Sequence, residues 1–346
     1  MTKKKRSGLW GAIKVLFGFI GLNLLLAVIL LLGLIWVMEK GPSPTATAAF
    51  CRSVRETSAI KWVADIFLSD EELAAIGSVD PTLAEEQDRV DTTLIRVPEP
   101  DSEESEETLP LELIDIHSGN IKGKLLIVHD PKRVIVGTSD NLGKQGGMQL
   151  TELVAKYDGV AGINGGGFND ENGRGNGGIP QGMVITDGEV VFGDPNRRHN
   201  LIGLTGDGIL VIDKMTGQEA LDAGLRWAVT FDMDGAISGA LIINGTIQTQ
   251  NLASGVNPRT AIGQRAEDGA LLLLVLDGRQ IDTLGATLQD VCDVMLEYGA
   301  TNVGNLDGGS SSVIVYDGEI INNCASITGP RYIPTGFIVL KEGRHG

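Results

Sequence analysis

One short segment of the chain places a carboxylate beside two glycines and three hydroxyls. It consists of Asn305, Leu306, Asp307, Gly308, Gly309, Ser310, Ser311 and Ser312. The carboxylate of Asp307 can act as a base, a nucleophile or a cation ligand. The glycines allow a sharp turn and a close approach to a ligand because they have no Cβ. Since hydroxyls and turn amides bind anionic oxygens, the segment predicts a site for a sugar or a phosphate.

A second glycine-rich loop resembles this segment. It consists of Asn164, Gly165, Gly166, Gly167, Phe168 and Asn169. The loop has neither the GxGxxG spacing nor the lysine of nucleotide-binding loops. In both loops the first Asn follows a Tyr by seven positions, as Tyr157 precedes Asn164 and Tyr298 precedes Asn305. Two such strand–helix–strand units would direct both loops toward one cleft, where Asn164 could bond a sugar hydroxyl. The alternative is a chance similarity between two turns.

Two further turns carry charged residues. Arg259 and Thr260 follow an Asn-Pro turn and open an apolar strand. The planar guanidinium fork suits phosphate, so we interpret Arg259 as a phosphate ligand, the alternative being a solvated surface arginine. Asp277 and Arg279 flank a glycine after the apolar run 271–276. That pattern favours a simple tight turn, with a site carboxylate at Asp277 and a phosphate ligand at Arg279 as the alternative.

Several familiar sites are excluded by their spacing. The four histidines form no HExxH or paired arrangement, which argues against a zinc enzyme. The acidic loop that begins at Asp170 resembles a calcium loop, but Arg174 and Gln181 stand where oxygen ligands are needed. Ser310 lacks the GxSxG context of a nucleophile elbow. A divalent cation bound in another way is left open.

Composition narrows the class of protein. The net charge is −17, which argues against a nucleic-acid partner. The 47 glycines suit a domain with many tight turns and argue against a helical bundle. The three cysteines show no metal-binding spacing, so we expect buried or free thiols, with a Cys292–Cys324 disulfide as the alternative for an exported protein. The oligomeric state is not indicated.

The N-terminal region predicts a membrane anchor. A basic tail over residues 1–8 precedes an apolar stretch over 9–38, in which no charged residue occurs from Val15 to Met38. Such a helix is long enough to span a bilayer, and the basic tail should remain cytoplasmic. The alternative is a signal peptide cleaved near Ala48. We expect a helical stalk over 39–79, an acidic linker over 80–110 and a domain over 111–342 that lies outside the cytoplasm.

The domain itself reads as a mixture of strands and a few helices. Strands are predicted over 111–116, 125–128, 134–137, 183–186, 201–204, 209–212, 240–243, 271–276, 313–316 and 335–340. Helices are predicted over 149–157 and 287–298. Asp-Gly or Asn-Gly pairs end several of these strands, as in tight hairpins. The expected fold class is therefore α+β, with mixed β-sheets and an N-terminal transmembrane helix.

Taken together, these motifs resemble the phosphodiester glycosidase family. The resemblance spans about residues 111–342 and is strongest over 257–312. It implies hydrolysis of the bond between a sugar and a phosphodiester. Asp307 would be the nucleophile or base, and the phosphate would be held by Arg259, Thr260 and the hydroxyl of Ser310 or Ser311. Asn164 and Asn305 would orient the sugar or support the loops.

The resemblance leaves the second carboxylate open between Asp277 and Asp232, and retaining or inverting chemistry with it. It departs from the usual pattern at Ser310, where the family has a third glycine. The expected substrate is a sugar-phosphate or a glycan of the cell envelope or an exopolysaccharide. Two other hypotheses are a non-catalytic polysaccharide-binding protein on the same fold and a phosphodiesterase that acts at phosphorus.

Overall fold

The computed structural model describes most of the chain. It describes residues 3–57, 59–77, 89–97, 111–144, 146–170, 175–232, 239–249, 252, 254–326 and 329–346, with side chains from residue 10 onward. Most of the predicted acidic linker, over 80–88 and 98–110, lies outside these residues. Its middle part, 89–97, packs on the domain: Ile95 is buried, and the amide of Arg96 donates to the carbonyl of Ala266 at 2.9 Å.

The described residues form six α-helices and seventeen strands. The helices are α1 (Lys3–Lys40), α2 (Pro44–Arg55), α3 (Asp70–Gly77), α4 (Leu150–Lys156), α5 (Gly217–Asp222) and α6 (Leu288–Glu297). The strands are β1 (Leu111–Ser118), β2 (Ile121–Val128), β3 (Val134–Thr138), β4 (Gly159–Asn164), β5 (Val184–Thr186), β6 (Glu189–Phe192), β7 (His199–Thr205), β8 (Leu210–Met215), β9 (Leu225–Thr230), β10 (Ala240–Ile243), β11 (Thr246–Ile247), β12 (Arg259–Arg265), β13 (Leu271–Leu276), β14 (Ala300–Asn305), β15 (Ile314–Tyr316), β16 (Glu319–Ile320) and β17 (Thr335–Leu340).

These strands build three sheets around one main core. The seven-stranded sheet has the order β1-β2-β13-β12-β14-β10-β11, and the two five-stranded sheets have the orders β16-β15-β4-β17-β3 and β6-β5-β9-β7-β8. The largest buried cluster contains side chains from all three sheets, including Ile262, Phe337 and Val229. Burial of each such side chain contributes about 1.5–3 kcal/mol. α6 covers the other face of the seven-stranded sheet through Val291 and Met295.

The α+β fold class with mixed sheets is confirmed. Every predicted strand overlaps an observed one, and the two predicted helices correspond to α4 and α6. Both helices begin with a capping box, formed by Gln149 with Glu152 in α4 and by Thr287 with Asp290 in α6. The sequence prediction missed α5 and β9. In its sheet β9 is the central strand, with β5 on one side and β7 on the other. All three cysteines are free thiols.

The N-terminal helices form a small packed unit. α1 contains a stretch, Trp10–Lys40, that is long and apolar enough to cross a membrane. α2, the 3₁₀ helix Lys61–Asp65 and α3 share a core of Cys51, Val54, Ala64 and Leu73. This unit, here called the membrane-proximal module (39–77), also contacts the end of α1. The buried carboxylate of Glu39 accepts a hydrogen bond from the amide of Phe67 at 2.9 Å.

Gly285 tests how tightly one loop is packed. Its φ is +126°, and a Cβ there would lie 2.5 Å from the carbonyl carbon of Asn257. Gly285→Ala should therefore lower the free energy of unfolding by about 2–4 kcal/mol, measured by chemical denaturation. The control is Gly245→Ala, since Gly245 has φ +79° with open space around it, and its cost should be about 1 kcal/mol. Equal losses would contradict this account.

Candidate active site

The two glycine-rich loops meet. The side-chain amide of Asn164, at the end of β4, donates to the carbonyl of Asp307 at 2.6 Å. The amide of Asp307, just after β14, donates to the carbonyl of Gly165 at 3.2 Å. β4 and β14 belong to different sheets. The two similar units therefore place their loops side by side where the two sheets come together.

Asn164 holds this junction from inside. Its side-chain oxygen accepts the hydroxyl of Thr260 at 2.8 Å and the amide of Val313 at 3.1 Å. Asn164 is 1% exposed, and Thr260 is fully buried. Asn305 is buried as well. These side chains face the protein interior, so their position suits support of the loops.

The glycines of the first loop are required by packing. A Cβ at Gly165 would lie 2.6 Å from the hydroxyl of Thr335. At Gly166 a Cβ would come too close to the carbonyl of Thr230, and the amide of Gly166 donates to the Thr335 hydroxyl at 3.2 Å. Some N–H groups of this loop thus donate to oxygens of the protein itself. Fewer of them are left to bind a ligand than the sequence led us to expect.

Asp307 lies in an electrostatically unusual position. Burial raises the pKa of Asp307 to about 6, although the hydroxyl of Ser311 and the charge of Arg331 act in the opposite direction. The nearby charge of Asp170 raises this pKa further. A carboxyl group with such a pKa can exchange a proton near neutral pH, as catalytic carboxyl groups do.

Arg331 and Asp170 form an ion pair beside Asp307 that the sequence analysis did not identify. The guanidinium of Arg331 donates to both carboxylate oxygens of Asp170, at 2.9 and 3.1 Å, and to the hydroxyl of Ser310 at 3.2 Å. It also lies over the ring of Phe168, 5.2 Å from the ring centre. No motif singled out Arg331, and Asp170 was considered only as part of a calcium loop. Residues 171–174 of that loop lie outside the described part.

Arg259 is buried and bound within the protein. Its guanidinium donates to the carbonyls of Ala286 and Gly255 and to the carboxylate of Glu56, the last at 2.8 Å. Only 5% of its side chain is exposed. Glu56 directly follows α2. A residue of the membrane-proximal module is therefore ion-paired with Arg259, which we expected to bind phosphate.

Glu56 accepts two further hydrogen bonds from this loop. One carboxylate oxygen accepts the amide of Gly255 at 2.7 Å, and the other accepts the side-chain amide of Asn257 at 2.9 Å. Next to it, the hydroxyl of Ser53 accepts the amide of Val256 at 2.8 Å. A carboxylate surrounded by a guanidinium and two N–H donors marks this pocket as an anion site.

Arg279 is the accessible cation of the cluster. The residue is exposed, and its guanidinium donates to the neutral oxygens of Thr57, at 2.7 Å, and Asn257, at 2.9 Å. Among the described residues no carboxylate lies within 4 Å of it. A Cβ at Gly309 would lie 3.2 Å from this guanidinium. Arg279 therefore faces the loop that follows Asp307, and it has a free charge to offer a ligand.

The other predicted carboxylates are bonded to asparagines. Asp277 is buried, and it accepts hydrogen bonds from the side chain of Asn322 and from the amide and side chain of Asn323. Burial raises the pKa of Asp277. Asp232 is bonded to the side chain of Asn200, and the neighbouring residues 233–238 are not described. Within the described residues, no group of three or more potential ligands could hold a metal ion.

Comparisons with known proteins show the family of this chain. A family model described as phosphodiester glycosidase matches residues 157–340, just over half of the chain. The N-acetylglucosamine-1-phosphodiester alpha-N-acetylglucosaminidase of Mus musculus is 28% identical over 155 residues, 40% of this chain and 29% of that protein. An uncharacterised SPbeta prophage-derived protein of Bacillus subtilis is 28% identical over 208 residues, 56% of this chain and 30% of that protein. The chain thus spans less than a third of the length of these relatives.

One solved structure has a similar fold. It is described as the catalytic domain of zebrafish N-acetylglucosamine-1-phosphodiester alpha-N-acetylglucosaminidase, auto-inhibited by its pro-peptide. The TM-score is 0.53 at 22% identity, and the match covers 67% of this chain and 83% of the zebrafish chain.

The pKa of Asp307 predicts a pH-dependent change in stability. Because this pKa is raised in the folded state, Asp307 favours folding below about pH 4 and opposes it as pH rises through about 6. Asp307→Asn should therefore stabilise the protein by about 1–3 kcal/mol at pH 8, and the gain should disappear at pH 4. Denaturant titrations at both pH values measure this. The exposed Asp222→Asn is the control, and a gain independent of pH would refute the argument.

Proposed function

Because the chain belongs to the phosphodiester glycosidase family, we propose that it is an extracytoplasmic hydrolase that cleaves a sugar-1-phosphodiester of a cell-envelope or exopolysaccharide glycan. The observation that carries this proposal is that two arginines reach the loop that follows Asp307: Arg331 donates to the hydroxyl of Ser310 at 3.2 Å, and a Cβ at Gly309 would lie 3.2 Å from the guanidinium of Arg279. α1 would keep the enzyme at the membrane, with the basic N-terminus in the cytoplasm.

The charges of the cluster suit a phosphodiester. Glu56 compensates Arg259, so Arg259, Arg279 and Glu56 together carry one net positive charge. A phosphodiester has one negative charge. We assign its phosphate to the exposed face of Arg279 and to the turn at Gly308 and Gly309, with Arg259 as the buried support behind them.

The sugar would lie on the Asp307 side. Arg331, which covers the buried ring of Phe168, offers its guanidinium there, and Ser310 offers a hydroxyl beside it. Glycosidic hydrolysis breaks the bond between the sugar carbon and the phosphate oxygen, and water adds to that carbon. The phosphate is already a good leaving group, so the main task is to stabilise the oxocarbenium-like centre and the developing phosphate charge.

Asp307 has the position of nucleophile or base in this reaction, and Asp170 is a second carboxylate near it. Arg331 neutralises Asp170, which suits a supporting role for that carboxylate. Asp277 remains a candidate for the second catalytic group through its raised pKa. A divalent cation is not needed for the charge balance described here.

The proposal is tested with the full chain in detergent and the methyl ester of N-acetylglucosamine 1-phosphate. We expect release of free sugar, with oxygen from labelled water on the sugar carbon. Asp307→Asn should lower kcat by about 10²–10⁴-fold, while Asp222→Asn should not. If Asp307 acts as the ionised base or nucleophile, kcat/KM of the natural chain should rise with pH through about 6.

Other outcomes would identify the rival functions. Label on the phosphate would indicate a phosphodiesterase that acts at phosphorus. Binding of the ester without turnover, unchanged in Asp307→Asn but lost in Arg279→Ala, would indicate a polysaccharide-binding protein on the same fold. Full activity in Asp307→Asn would overturn the assigned mechanism.

We further propose that the end of α2 covers the anion site until substrate arrives. Ser53, Glu56 and Thr57 lie directly on Gly255, Asn257 and the arginines. The zebrafish domain is described as auto-inhibited by a pro-peptide. In this chain the covering segment would be the one attached to the membrane anchor.

Glu56→Ala tests this cover. Without its carboxylate the segment should open more often, and kcat/KM for the methyl ester should rise by about tenfold. The control is Glu72→Ala, which removes an exposed ion pair with Lys40 in the same membrane-proximal module. Circular dichroism establishes that both variants are folded. Unchanged or reduced activity in folded Glu56→Ala would refute the covering role.

A further inference from the structure

The loop that carries Arg279 also presents two apolar side chains to solvent. The amide of Gln280 donates to the carbonyl of Thr283 at 2.9 Å, and the amide of Arg279 donates to the carbonyl of Leu284 at 3.0 Å. These bonds close the loop and leave Ile281 fully exposed and Leu284 72% exposed. Exposed apolar side chains beside a charged site suggest contact with an apolar partner.

Two apolar residues of the membrane-proximal module closely follow Thr57, which Arg279 contacts. Ile60 is exposed, and Trp62 is 61% exposed. The amide of Ile60 donates to the carbonyl of Thr57 at 3.0 Å, and the hydroxyl of Thr57 accepts Arg279. Arg279 thus connects both elements. We call the set of Ile60, Trp62, Ile281 and Leu284 the apolar rim.

The apolar rim is close to the membrane end of α1. The apolar run of α1 ends at Met38, and Glu39 directly accepts the amide of Phe67. Trp62 precedes Phe67 by five residues, most of them in the 3₁₀ helix Lys61–Asp65. At about 2 Å per residue this separation is about 10 Å. Tryptophan is enriched at that depth, where a membrane meets water.

We propose that the apolar rim receives the lipid chain of a membrane-embedded substrate, so that the substrate is a sugar joined through a phosphodiester to a lipid alcohol. This inference rests on the proposed function. Arg279 at the base of the rim would hold the phosphate, Asp307 would face the sugar, and the lipid would leave across Ile281 and Leu284 into the bilayer. Water and the sugar-phospholipid would yield free sugar and the lipid monophosphate.

The chemistry of the rim favours a lipid over a soluble glycan. A second sugar in place of the lipid would need hydrogen-bond partners, which the side chains of Ile281 and Leu284 lack. The nearest charge on the loop tip, Asp282, is paired with Lys122 at 2.7 Å. A protein bound at this position would separate the rim from the membrane to which α1 attaches it.

The test compares two esters of N-acetylglucosamine 1-phosphate, methyl and hexadecyl, with the full chain in phospholipid nanodiscs. We expect kcat/KM for the hexadecyl ester to exceed that for the methyl ester by tenfold or more. In Ile281→Ser/Leu284→Ser this ratio should fall about tenfold. The control is Leu113→Ser/Val191→Ser, which replaces apolar residues of β1 and β6 that are 40% and 44% exposed, and it should keep the ratio of the natural chain.

The outcomes separate this inference from the proposed function. Equal turnover of both esters, or a ratio that the rim substitutions leave unchanged, would overturn the lipid assignment and leave the glycosidase intact. Failure to release sugar from either ester would overturn the glycosidase and the lipid assignment together. The comparison of esters in the natural chain does not depend on how any variant folds.

Discussion

The bridge made by the side chain of Asn164 is the interaction on which the site depends. One buried amide group bonds the carbonyl of Asp307, the hydroxyl of Thr260 and the amide of Val313. Thr260 belongs to β12 and Asp307 follows β14 in one sheet, whereas Val313 precedes β15 in another. A buried amide that loses its partners is costly, by about 1–3 kcal/mol for each unsatisfied group. The loops therefore stay together, and the position of Asp307 follows from the packing of the sheets.

The site is a region of balanced charge in an acidic protein. The whole chain has a net charge of −17, yet three arginines and three carboxylates meet at the site: Arg259, Arg279, Arg331, Glu56, Asp170 and Asp307. Burial raises the pKa of Asp307. The positive charges of the arginines favour the binding of an anion near it. Because its pKa is raised, the ionised form of Asp307 lowers the stability of the folded protein, a feature that catalytic carboxyl groups commonly have.

The membrane-proximal module connects the anchor to the site. Glu39 joins the end of α1 to Phe67, and Glu56 joins the end of α2 to Arg259. Both carboxylates are largely buried, so each needs its partner. The segment expected to be a simple stalk therefore contacts the candidate site, and α2 lies between the end of α1 and that contact.

The sequence by itself determined the elements and the main chemical groups. A continuous apolar run identifies β13, and a helical pattern identifies α6. Asp-Gly or Asn-Gly pairs identify hairpin turns such as that at Asn244, where φ is +51°. The seven-residue spacing from Tyr to Asn identified both loops. These signals are local, because each depends on residues that are neighbours along the chain.

Only the tertiary structure decided which groups meet. Arg331 pairs with Asp170 across 161 positions, and Arg259 pairs with Glu56 across 203. The spacing of such residues along the chain does not indicate a contact, because the folding of the whole chain brings them together. For the same reason the sequence could not tell that Arg259 is buried and Arg279 exposed: accessibility depends on which segment packs over each side chain.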